Sequence, residues 1–175
     1  MPEFDPKEVE RLSEIAALRL GEDISEAELD AIVARAAKEL ELPLAAVSII
    51  LDQAQYFVAS YGFEGGWVGE VRGTPIEWSF CRNAVERRAP FIVEDAENHP
   101  QTRDNPLVRN DQIRAYLGVP LITSNDQAIG ALCVIGDQNR QFSMADVGRL
   151  VDLADQLLPL LEARRERAVS EQRSS

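Results

Sequence analysis

Apolar positions recur along this chain with two different periods, and the switches between them mark its elements. In "DPKEVERLSEIAALRL", Val9, Leu12, Ile15 and Ala16 fall at helical spacing. Asp5 stands as the cap, Pro6 at the first helical position and Glu8 where a capping box wants it. "SEAELDAIVARAAKEL" repeats the signal: Ser25 and Glu28, three apart, precede Leu29, Ile32, Val33 and Ala36. Two amphipathic helices are thus predicted before any strand. After Pro43, "LAAVSIILD" and "QYFVASYG" are β-branched and aromatic runs joined near Asp52 to Gln55, which predicts a hairpin.

The glycines and Pro75 of "GFEGGWVGEVRGTP" interrupt any period and predict a loop. Ser79 is then the expected cap of a helix in "SFCRNAVERR", and "PFIVED" is a short strand. The polar passage "AENHPQTRDNPLVRNDQ" is longer than a mere connection requires. "IRAYLGVPLIT" and "AIGALCVIGD" flank "SNDQ", where Asn125 and Asp126 tolerate a turn's positive φ, so these runs are predicted as adjacent central strands. A last helix starts at Ser143, with Asp146 three residues on, and carries Val147, Leu150, Val151, Ala154, Leu157, Leu158 and Leu161. Pro159 is expected to kink it, and the polar end "SEQRSS" to fray. The sum is a mixed α/β (α+β) domain on an antiparallel sheet.

Composition narrows the classes. A chain of 175 residues with 45% hydrophobic content suits one domain that buries roughly 70% of its unfolded surface. No apolar run reaches the roughly 20 residues of a membrane span, and the acidic "MPEFDPKEVERLSE" is unlike a signal peptide, so a cytoplasmic location is expected. The net charge of -12 disfavours nucleic acid and anionic membrane as partners. Residues 1–55 hold 13 acidic against 5 basic side chains, whereas residues 72–114 hold seven of each, all seven cations being arginines. That arginine group admits a small anionic ligand, with ion pairs inside the protein as the alternative. Two cysteines and one histidine, without C-x-x-C or H-x-x-x-H spacing, argue against a structural metal.

Candidate chemistry centres on Cys81, two positions after the capping Ser79 and at the start of a helix. A helix start lowers a thiol's pKa, which makes a reactive thiol one reading; packing as a small hydrophobe is the other. A catalytic cysteine needs a base, and the single histidine, His99, lies in a polar loop before Pro100.

"SFCRNAVERRAPFIVEDAENHPQTRDNPLV", followed by "IRAYLGVPLIT" and "AIGALCVIGD", resembles a GAF domain of the bacterial sensor-kinase and phytochrome-like subclass. The specific pieces are Ser79-Phe80-Cys81, Asp95-Ala96, Asn105 to Val108, Tyr116 with Gly118 to Leu121, and Gly130 with Leu132 to Ile135. The resemblance divides the chain into an N-terminal helix (1–21), the GAF-like domain (22–162) and a polar tail (163–175). It implies a six-stranded antiparallel sheet, with the terminal helices on one face and short helices and loops that can enclose a ligand on the other. It also implies sensing rather than turnover, through a small-molecule ligand of unknown identity, a signalling partner, or a homodimer formed by the terminal helices. No kinase, cyclase or DNA-binding segment accompanies the domain, so the chain is expected to act alone or as a fragment of a longer protein.

Departures from the family are informative. "RNDQIRAYLG" has no cysteine where relatives attach a bilin, so covalent bilin is not expected, and the N-K-x-F-x-D-E pattern of cyclic-nucleotide binders is missing. The candidate pocket comprises Trp67, Trp78, Phe80, Cys81, Tyr116 and Cys133, with Asp95, Asp104 and Arg114 as polar anchors. The alternative function is a thiol-dependent enzyme resembling the free methionine sulfoxide reductases of this fold. It would use Cys81 and Cys133, provided they face each other.

Overall fold

The computed structural model describes residues 5–18, 27–63, 72–110 and 112–173, with side chains through residue 163. Helices α1 (Pro6–Leu18) and α2 (Ala27–Glu39) precede the hairpin of β1 (Leu44–Ile50) and β2 (Ala54–Tyr61). A short β3 (Gly73–Pro75) and a 3-10 turn (Ile76–Trp78) lead into α3 (Cys81–Arg87) and β4 (Phe91–Val93). Then come α4 (Pro106–Asn110), β5 (Ala115–Ile122), β6 (Ala128–Gly136) and the long α5 (Met144–Arg173).

The six strands form one sheet in the order β3-β2-β1-β6-β5-β4, every neighbouring pair antiparallel. β1 and β6 lie at its centre. That position explains their composition, because a strand covered on both faces has apolar side chains at consecutive positions rather than alternate ones. All nine residues of β6 are buried.

Alternation along the strands sorts the core into two clusters. Val47, Ile49, Leu117, Val119, Leu132 and Val134 pack on one face with α1, α2 and α5. Ala46, Ile50, Phe57, Tyr116, Ala131 and Cys133 point the other way, against α3, α4 and their loops.

Several expectations need correction. The glycine-rich passage is not all loop, since Gly73 to Pro75 pairs with Ala54 to Tyr56 and extends the sheet by one strand. The long polar passage likewise contains α4, which Asn105 starts by accepting the Leu107 N–H on Oδ1 at 2.9 Å. α5 runs through Pro159 to Arg173, so the segment expected to be a frayed tail is largely helical in backbone. The capping-box position of Ser25 lies outside the described residues.

α1 shows the most instructive difference. Asp5 caps as predicted, accepting the Lys7 N–H at 3.0 Å, but Glu8 turns forward to Arg11, 2.6 Å away. The buried positions are Arg11, Glu14, Ile15 and Leu18, whereas Val9 and Ala16 of the expected stripe are exposed. The helix is rotated because Arg11 donates to the carbonyls of Ile50 (2.6 Å) and Ala128 (3.4 Å) at the end of the sheet. Both bonds are buried, and a buried carbonyl requires a donor. α2 buries its expected stripe, whereas α5 buries Leu150, Ala154, Leu157 and Leu161, leaves Val147 and Leu158 half-buried and exposes Val151.

Candidate functional site

The second face of the sheet is where the candidate residues converge. Ser79 has extended backbone (φ -80°, ψ 123°), and its Oγ accepts the Arg82 N–H at 3.2 Å. This capping bond starts α3 and sets Cys81 in the first turn, directed at the sheet. From β6, Cys133 points toward the same helix, between Ala46 of β1 and Gly118 of β5. Gly118 has a steric reason to be glycine: a Cβ there would overlap the Tyr116 phenol, which folds back over it.

Tyr116 thereby brings its hydroxyl to Cys81, donating to Sγ at 2.9 Å, with both groups buried. Phe80 meets the tyrosine ring edge-on at 5.3 Å, and Phe91 flanks it at 5.8 Å. The Cys133 thiol donates to Cys81 as well, and the Ser48 hydroxyl stands beside the same sulfur while its proton goes to Gln55. Two donors, the phenol and the Cys133 thiol, thus converge on one sulfur.

Their effect on acidity is uneven. Hydrogen bonding from Cys133, helped by Tyr116 and Ser48, outweighs burial and lowers the Cys81 pKa. Cys133 is held well above the ordinary thiol value, because its hydrogen bond to Cys81 needs the proton and burial penalises the charge. Tyr116 is raised too, first by burial and then by repulsion from a Cys81 thiolate. The lowering expected from a helix start is therefore present, but its source is side-chain donors.

Beside the thiols lies a buried polar network. Ser48 and Ser79 both donate their hydroxyls to Gln55 Oε1, at 2.9 and 2.8 Å, and Gln55 Nε2 donates to Thr74 Oγ1 at 2.6 Å. Thr74 passes its own proton to the Pro75 carbonyl at 3.0 Å. All four side chains are buried. Sequence reasoning found only the capping role of Ser79. The available signal was Ser48, a polar residue inside the apolar run "LAAVSII", where a strand covered on both faces leaves no solvent for a hydroxyl.

The other candidates are placed differently. Trp67 lies outside the described residues. Trp78 is half-buried at the edge of the cluster, and its carbonyl accepts the Asn105 amide at 3.1 Å. Asp95 holds a turn by accepting from Asn98 Nδ2 at 2.8 Å. Asp104 is exposed and paired with Arg109 at 2.7 Å. Arg114 is occupied by the Val108 carbonyl (2.6 Å) and by Glu97 (2.9 Å), which secures the long loop.

The arginine-rich middle is also engaged internally. Arg88 pairs with Asp126, and Arg87 covers the Phe91 ring at 5.1 Å. His99 accepts the Gln101 N–H at 3.1 Å and meets the Phe91 ring edge-on at 5.7 Å. Two open clefts of about 390 and 370 Å³ flank α1, and neither is lined by a candidate residue. Among the described residues no group of three or more His, Cys, Asp or Glu is arranged to hold a metal, and no helix is long and apolar enough to cross a membrane.

Known proteins share this architecture. A domain of a putative two-component sensor histidine kinase from Sinorhizobium meliloti superposes with a TM-score of 0.64 at 19% identity, covering 86% of this chain and 99% of that one. The free methionine-R-sulfoxide reductase of Neisseria meningitidis, solved with its substrate, gives 0.64 at 19% identity over 95% of this chain and 96% of that chain. At such identities the likeness is one of fold. In sequence, the chain is 35% identical over 140 residues to a cyclic di-GMP phosphodiesterase of Pseudomonas aeruginosa, covering 79% of this chain and 23% of that protein's length. Residues 25–158 match the GAF domain family, a span that holds the whole second core cluster, most of the first and the thiol site between α3 and β6, and the chain belongs to that family.

Proposed function

We propose that the chain is a sensory and regulatory module of bacterial signal transduction, which binds a small molecule on the α3 side of the sheet and performs no turnover. One observation carries this reading: the 35% identical region is 23% of a cyclic di-GMP phosphodiesterase, hence one segment of a much longer protein. The site's chemistry agrees. Cys81 is surrounded by a phenol, a thiol and a hydroxyl, none of them a general base at neutral pH. Both cysteines are free, as suits the reducing cytoplasm. Native mass spectrometry of protein purified from its own host tests the ligand. A retained small molecule is expected, and a protein-only mass would remove the binding claim.

Output is proposed to pass through a homodimer of the terminal helices, where Val9 of α1 and Val151 of α5 leave apolar surface exposed. Light scattering should then show twice the 19.4 kDa chain mass at micromolar concentration. A concentration-independent monomer would refute it.

A second reading rests on the meeting of Cys81 and Cys133: a thiol-dependent reductase acting on free methionine sulfoxide. Turnover by the wild-type chain, lost in Cys81→Ser, would replace the sensory reading.

A further inference from the structure

Two free thiols in contact inside a core are unusual in what surrounds them. For packing alone, a small sulfur wants hydrocarbon neighbours. Cys81 instead accepts the Tyr116 phenol at 2.9 Å and faces the Ser48 hydroxyl and the Cys133 thiol. Gly118 is the seat that lets the phenol reach it. We propose that Cys81 and Cys133 are an oxidant-responsive dithiol, converted by hydrogen peroxide into an intramolecular disulfide.

The geometry assigns the roles. Cys81, the sulfur on which the donors converge, is the nucleophile, and its lowered pKa agrees. Its thiolate attacks one peroxide oxygen, the O–O bond breaks, and Cys81 becomes a sulfenic acid while hydroxide takes up the proton that Cys81 released. Cys133 then attacks the Cys81 sulfur, the S–O bond breaks, and the Cys133 proton leaves with the second water. Each sulfur loses one electron and the peroxide gains two. A thiol reductant reverses the change by exchange.

The linkage would tie the first turn of α3 to the middle of β6 and leave Tyr116 a neutral sulfur, a weaker acceptor than a thiolate. Leu132 and Val134, the neighbours of Cys133 on β6, belong to the opposite cluster beneath α1, α2 and α5. A shift of β6 is thus transmitted to the terminal helices by contact. Both sulfurs are buried, at 3% and 1% exposure, so a small oxidant suits the site and the reaction waits on opening of α3.

The proposal is independent of any bound ligand, so its failure would leave the sensory reading standing. In the test, the reduced full chain is freed of reductant, treated with hydrogen peroxide, quenched and alkylated in denaturant. The expected result is loss of both alkylatable thiols, a mass lower by two hydrogens, and a proteolytic map joining the Cys81 and Cys133 peptides, all reversed by reductant. In Cys133→Ser, the oxidation should halt at a sulfenic acid on Cys81 that a 1,3-diketone probe captures. Retention of both thiols after treatment would overturn the proposal, as would disulfides formed only between chains.

Discussion

On the face under α1, α2 and α5, the strand side chains of the core cluster are aliphatic throughout, from Val47 and Ile49 to Leu132 and Val134. The face under α3 and α4 sets Ser48, Cys81, Cys133 and Tyr116 among its apolar contacts, with Gln55 and Thr74 joined to them. The two faces share one set of strands, so strand propensity cannot account for the difference. What differs is the requirement each must meet. Aliphatic packing is non-directional and holds long helices with little demand on orientation. A buried hydroxyl or amide must find a partner of fixed geometry, which makes the second face specific and intolerant of partial change.

Adjacent residues of β6 give the sharpest way to break that contrast. Leu132→Ala should cost about 3 kcal/mol in urea unfolding, because it leaves a cavity between the sheet and the helices packed on it. Cys133→Ala, one residue along and on the other face, should cost about 1 kcal/mol, since a sulfur is smaller and its neighbours include polar groups. Equal losses would mean that the faces are energetically alike.

Gln55→Ala tests the polar network itself. It leaves the Ser48, Ser79 and Thr74 hydroxyls short of their partner and should cost about 2 kcal/mol. If thermal unfolding shows no loss, the network is incidental to the second face.

Tyr116→Phe keeps the ring and deletes one donor, for about 1 kcal/mol of stability. Its chemical effect is more telling than its stability effect. A thiolate deprived of a donor is harder to form, so Cys81 should titrate at higher pH than in the wild type, as followed by thiolate ultraviolet absorbance. An unchanged titration would remove Tyr116 from the thiol site.

The smallest effect is a control outside both faces. Ser143 N–H donates to Asp146 Oδ2 at 2.9 Å, and Asp146 N–H to Ser143 Oγ at 3.1 Å. The Ser143 backbone bond, with the Ser143 hydroxyl and Arg140, lowers the Asp146 pKa. A carboxylate whose folded pKa is depressed adds stability above its unfolded pKa and loses it as pH falls through the folded value. Asp146→Asn should therefore cost about 0.5 kcal/mol at neutral pH, discounted for solvent screening, and nothing once the wild-type carboxyl is protonated in acid. A pH-independent difference between the two proteins would refute the assignment.

Much of the fold was legible because it rests on local rules. The caps at Asp5, Ser79 and the Ser143 and Asp146 box are short-range bonds, and each appears where its motif stands. The "SNDQ" turn needs one residue of positive φ, and Asp126 supplies it at 61°. β1, β2, β5 and β6 were visible as apolar runs longer than a turn permits. β3 was not, because three residues containing Gly73 and Pro75 carry no strand signal and are held by pairing with β2.

Helix periodicity and strand propensity therefore determined the longer helices and strands and their order from sequence alone, since those depend on residues within a few positions of one another. Only the tertiary structure decided that α1 turns Arg11 inward, because the carbonyls of Ile50 and Ala128 that demand it come from strands 39 and 117 residues away. It likewise decided that Cys81 and Cys133 meet and that Gln55 links Ser48 to Thr74. Those contacts arise from the sheet order β2-β1-β6-β5, and no local pattern encodes which distant side chain will satisfy a buried donor.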